Sequence, residues 1–123
     1  MVVVHMDTQF DTAVLSRVYE GLDCTVFLTP TYDDRRAIRE AIRNDDGPVI
    51  LLGHGTPYGL LDADFYDYII DGCDAYLLRQ RIVIGIWCYA SEFADRYVVD
   101  SLTNHEHRSE GEVVVVNDLR EVF

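Results

Sequence analysis

Two residues of this chain have the type and setting for nucleophilic chemistry: His54, between Gly53 and Gly55, and Cys88, at the end of an apolar run. A cysteine nucleophile needs a thiolate, a group that accepts its proton, and N–H donors for the oxyanion that forms on a carbonyl. Histidine is the side chain best suited to the acceptor role near neutral pH. Gly53 and Gly55 permit unusual backbone angles and let a substrate approach the main chain closely. The backbone amides of Gly55 and Cys88 are the candidate oxyanion donors. Cys88 also stands just before a predicted helix, whose amino end favours a thiolate. The competing reading makes Cys88 an inert residue packed after a buried strand.

These residues need a scaffold, and hydrophobic patterning supplies one. Val2–Met6 is a short continuous apolar run, as expected of a strand buried on both faces. Asp11 to Leu22 puts Val14, Leu15, Val18 and Leu22 on one helical face. Cys24–Leu28 is a second strand, stopped by Pro30. Thr31 caps a second helix with Asp33 and Asp34 in its first turn and Ile38, Ala41 and Ile42 inward. Val49–Leu52 is a third strand running into His54, and Thr56-Pro57-Tyr58-Gly59 reads as a turn. Residues 60–70 fit either a hairpin or a helix. Asp74 caps a short helix through Ala75, Leu77 and Leu78. Ile82–Trp87 is the fourth strand and delivers Cys88. Ser91 to about Leu102 is a helix with Phe93, Ala94, Tyr97 and Val98 inward. Asn104 to Glu112 reads as a polar loop, and Val113–Val116 as a fifth strand.

Alternating strands and helices with short connections predict a three-layer α/β domain over residues 1–123. Its sheet is mostly parallel, of about five strands in the order 2-1-3-4 with the fifth beside the fourth, and helices cover both faces. In such sheets ligands gather outside the carboxyl ends of the strands. Asp7, His54 and Cys88 all fall at such ends.

The segments Val49-Ile50-Leu51-Leu52-Gly53-His54-Gly55 and Ile82-Val83-Ile84-Gly85-Ile86-Trp87-Cys88 resemble the two signature strands of the caspase-like superfamily of cysteine peptidases. That superfamily includes caspases, gingipains, clostripain-like enzymes and small bacterial domains. In it one apolar strand ends in His-Gly and a later one in the nucleophilic Cys. The resemblance covers about residues 1–103 as an order of elements, and only the two motifs are specific. It implies peptide-bond hydrolysis by a His54–Cys88 dyad, in a minimal or degenerate form, without a cofactor. Cys88 is followed by Tyr89-Ala90-Ser91, where many members carry smaller residues, and the short chain after it omits strands that build the pocket of larger members. A homodimer mate or partner chain would complete the site. The alternative is a non-catalytic caspase-like or flavodoxin-like module for protein interaction or small-molecule sensing.

The remaining residues bound the substrate and the setting. Asp62, Asp64, Asp67, Asp71 and Asp74 form an acidic stretch that is either a solvated face or, with Asp7, a pocket for an Arg or Lys side chain. Tyr58 and Tyr89 are candidates for the mouth of the site, whereas Trp87 reads as core. A nucleophile elbow fails because Ile86 and Ala90 stand where glycines are required. A phosphate loop fails because the remaining glycine and the Lys-Ser/Thr pair are missing. A receiver-type phospho-acceptor fails because the third strand ends in Gly53-His54. His105-Glu106-His107 is a weak metal candidate in a polar loop, and no metal site is expected. Cys24 and Cys73 read as buried, and three cysteines without a CxxC pair make no disulfide framework. The net charge of −12, with 10 arginines and no lysine, opposes nucleic acid and anionic membrane as partners. With no leader pattern and no spanning segment, the expected setting is the cytoplasm.

Overall fold

The computed structural model describes residues 1–7, 14–79 and 81–98, with the backbone alone at residue 14 and in two later strands, 105–107 and 113–116. Four strands form the parallel part of the main sheet: β1 (Val2–His5), β2 (Thr25–Leu28), β3 (Val49–Leu52) and β7 (Val83–Ile86). They stand in the order β2-β1-β3-β7, and β9 (Val113–Val116) and β8 (His105–His107) extend the sheet beyond β7. Both added strands run antiparallel to their neighbours. The fifth expected strand thus lies beside the fourth, but reversed, and His105–His107 is a strand and not a loop.

Three short strands make a second, antiparallel sheet between β3 and β7: β4 (Gly55–Thr56), β5 (Gly59–Leu61) and β6 (Tyr68–Asp71). This resolves the ambiguity over residues 60–70 as a hairpin. The helices are α1 (Arg35–Arg43), α2 (Ala75–Leu78) and α3 (Ala90–Phe93), which runs on as a π turn over Ala94–Val98. A 3-10 turn over Tyr32–Asp34 leads into α1; Thr31 and Asp34 cap it reciprocally, the Thr31 backbone N–H donating to the Asp34 carboxylate at 2.7 Å. That reciprocal bonding satisfies N–H groups which a helix start leaves without partners.

One face of the sheet carries the larger core. Val2, Val4, Val49, Leu51 and Val83 meet Ile38 and Ile42 of α1, Leu78 of α2, and Phe93 and Ala94 at the end of the chain's third helix. The opposite face is thinner: Val3, Ile50 and Leu52, beside half-buried Ile84 and Ile86 of β7, pack against half-buried Leu15 and Tyr19. The helix expected over residues 11–22 is a 3-10 segment at Val14–Val18, with residues 11–13 outside the described set. The last part of the helix expected to reach Leu102 also falls outside it.

Register aligns the candidate residues. His5 pairs with Leu52, and Leu52 with Ile86. Asp7, His54 and Cys88 each follow those paired residues by two positions, so all three stand just past the carboxyl ends of adjacent strands.

Candidate active site at the carboxyl edge

The two strands that carry His54 and Cys88 part company just beyond the sheet. The Gly53 N–H still donates to Ile86 O at 3.1 Å, extending the ladder by one step. Gly53 then takes φ +152°, a conformation open to glycine, and a side chain there would collide with Met6. The chain leaves the sheet at His54 and enters the hairpin of β4 and β5. On the other strand, Trp87 turns inward and Cys88 stays exposed. The Ala90 N–H donates to Trp87 O at 3.1 Å, closing a turn around Cys88 and Tyr89. Tyr89 holds φ 70° and ψ 18°, the left-handed region that a side chain disfavours.

His54 is half-buried, and its imidazole lies 5.7 Å from the Phe65 ring, centroid to centroid. Phe65 is held by the turn between β5 and β6. There its N–H donates to Asp62 O at 3.2 Å, and the Tyr66 N–H donates to the Asp62 carboxylate at 3.0 Å. Asp62 therefore shapes the turn that carries Phe65 to His54, and Asp64 stands exposed in the same turn. Gly55 begins β4. The Leu61 N–H donates to His54 O at 3.0 Å, and Gly55 pairs with Leu60 in the next position. Antiparallel pairs alternate between bonded and non-bonded, so the Gly55 amide points away from β5.

Between these two arms stands Trp87. It is 4 % exposed, and its Nε1–H donates to Thr56 O at 3.1 Å. A side chain at Gly55 would overlap the indole and the Gly59 carbonyl. The Thr56 hydroxyl pairs with the Tyr68 hydroxyl at 2.7 Å and accepts from the Tyr58 N–H at 3.0 Å. Tyr58 and Tyr89 are both 52 % exposed. The Arg96 guanidinium lies 4.9 Å from the Tyr58 ring centre, where the Tyr58 and then the Tyr97 hydroxyls hold it more firmly protonated. Sequence reasoning missed Arg96, because nothing in the spacing of residues 58 and 96 pairs them.

The acidic stretch divides. Asp74 is 1 % exposed, forms an ion pair with Arg39, and accepts from Arg35 at 3.3 Å. Asp71 lies 3.3 Å from Arg35 and accepts from the Cys73 N–H at 2.9 Å. Asp71 and Asp74 therefore tie α2 to α1 and do not line a pocket with His54. Asp7 is half-buried, and its backbone N–H donates to the Thr29 hydroxyl at 3.2 Å. Near it, buried His5 shares a 2.8 Å hydrogen bond with the Tyr19 hydroxyl. Burial, and after it the Asp7 charge, pushes the Tyr19 phenol above its ordinary range. Cys73 is exposed and Cys24 half-buried, which corrects the expectation that both are core residues. Cys73 emerges because a 3-10 turn at Gly72–Asp74 carries it past the last paired residue of β6.

Among the described residues no group of His, Cys, Asp and Glu could hold a metal ion, and no helix is long and apolar enough to cross a membrane. No protein-family model, curated protein or solved structure matches the chain.

Proposed function

We propose that the chain is a minimal caspase-like cysteine hydrolase acting on peptide or protein through His54 and Cys88. The observation that carries this reading is that the two residues stand just past the carboxyl ends of neighbouring parallel strands, with Cys88 exposed. Such strands lie about 4.8 Å apart where they pair, so the two arms set out side by side. His54 accepts the thiol proton as sulfur attacks the substrate carbonyl carbon. The amides of Gly55 and Cys88 receive the oxyanion. Collapse breaks the C–N bond, the imidazolium gives its proton to the leaving amine, and water cleaves the thioester to a carboxylate and the free thiol. Tyr58 and Tyr89 form the rim, and Asp7, Asp62 and Asp64 are the carboxylates available to a basic substrate side chain. A homodimer mate or partner chain completes the site, and the cytoplasm keeps the three cysteines reduced.

The test is turnover of a fluorogenic peptide library. Cys88→Ala and His54→Ala should each lower it at least about 10³-fold with unchanged melting. Full turnover in either variant would overturn the dyad. A non-catalytic module is the second reading, favoured by the packing of the His54 ring on Phe65. It predicts no turnover, and Cys88 alkylation that is indifferent to His54.

A further inference from the structure

We infer that Trp87 is a positioning residue for this dyad, a role that rests on the reading above. The two arms of the site diverge immediately after the Gly53 N–H bond to Ile86 O. Beyond that point a side-chain hydrogen bond joins them, from Trp87 Nε1–H to Thr56 O, 3.1 Å long. Trp87 directly precedes Cys88, and Thr56 follows His54 by two residues. One end of this tie is therefore a single peptide unit from the thiol, and the other is anchored in the strand that begins just after the imidazole. Both ends are stiff. The indole is 4 % exposed and meets Phe93 edge-on at 5.6 Å, while a Cβ at Gly85 would fall 2.8 Å from its six-membered ring. Thr56 is fixed in turn by Tyr68 and Tyr58.

A buried tryptophan N–H takes an acceptor wherever it packs, so what matters is which element supplies it. Here the N–H meets a backbone carbonyl of the hairpin, so the hydrogen bond fixes how far the His54 arm stands from the Cys88 turn. Small displacements between reacting groups cost large factors in rate. Trp87 therefore acts through His54 and Cys88 and does not itself touch the reacting atoms.

Iodoacetamide labelling tests this, read by mass spectrometry as the ratio of Cys88 to Cys73 rates. Cys73 is exposed and distant in sequence, so a general loosening of the fold raises both rates and leaves the ratio little changed. His54→Ala should lower the ratio about tenfold, and Trp87→Phe, which keeps an aromatic ring but lacks the N–H, should lower it about three- to tenfold. Trp87 is the only tryptophan, so incorporated 5-fluorotryptophan, which retains the N–H, should keep the wild-type ratio. Gly55→Ala, whose new methyl strikes the indole and the Gly59 carbonyl, should lower the ratio and shift the Trp87 fluorescence; it replaces Trp87→Phe as the deciding variant if the latter does not fold. A ratio that falls in His54→Ala but not in Trp87→Phe, or after replacement not in Gly55→Ala, overturns the positioning role and leaves the dyad standing. A ratio unchanged in His54→Ala overturns both.

Discussion

The two edges of the parallel sheet are built to opposite ends. At the amino edge the groups preceding β1, β3 and β7 are lashed together. Arg81, just before β7, donates to Ile42 O and Gly47 O, each at 2.6 Å, and to Asp45 O. The Met1 ammonium donates to the Asp45 carboxylate at 3.0 Å. One guanidinium thus closes the carboxyl end of α1, whose last carbonyls have no helical partners. At the carboxyl edge the chain does the reverse: β3 breaks away through Gly53, Cys88 is exposed, and Tyr89 is held in the left-handed region. Stability is concentrated where the strands start, and strain and reactive side chains where they end.

The strongest way to break this comparison is at Arg81. Hydrogen bonds from a charged group are worth about 1.5–3 kcal/mol each and are not additive. Arg81→Ala should therefore cost about 3 kcal/mol in urea unfolding, leaving the Cys88-to-Cys73 labelling ratio of the native protein unchanged. A lowered ratio at undiminished stability would mean that the amino edge serves the site and not the fold.

A smaller effect, of opposite sign, is expected across the sheet. The left-handed conformation costs a side chain roughly 1–2 kcal/mol, and Tyr89 is 52 % exposed, so its ring gives little back. Tyr89→Gly should stabilise the fold by about 0.5–1 kcal/mol. Cys88 should be labelled no more slowly, since the turn around it is kept. A destabilised variant would show that the Tyr89 ring packs more tightly than its exposure indicates.

The same contrast explains what could be read from the sequence. The two central parallel strands were legible because Val2–Val4 and Val49–Leu52 are continuous apolar runs, buried on both faces of the sheet. The place of Asp7, His54 and Cys88 just past the strand ends followed from knowing where the apolar runs stop. The β5–β6 hairpin was not legible, since Leu60-Leu61 and Ile69-Ile70 are apolar doublets that fit neither period. His105–His107 carries no apolar alternation, and the direction of β9 depends on its connection and not on its residues. The Trp87 tie joins a side chain to a main-chain carbonyl across 31 positions, so no residue type announces it. Asp74 looked like one acid in a solvated run because its partners, Arg35 and Arg39, meet it only through helix packing.

The finest test of the amino edge is its response to acid. The Met1 ammonium, hydrogen-bonded to Asp45, is the leading reason that this carboxyl ionises below its ordinary value of 3.8; the Gly47 N–H and the Arg81 charge act in the same direction. A carboxyl whose pKa is lower in the folded than in the unfolded chain favours the fold in its charged form. Its contribution is complete above the unfolded value and fades as pH falls through the folded one, because the folded state is then protonated too. The window is therefore below about pH 4–5. Other carboxyls titrate there as well, so the informative quantity is the difference between wild type and Asp45→Asn in melting temperature. The wild type should be the more stable near neutral pH, and the gap should close as pH falls through that window. Parallel curves down to pH 2 would mean that the Met1–Asp45 contact contributes nothing to stability, and that Arg81 alone gathers the strands at this edge.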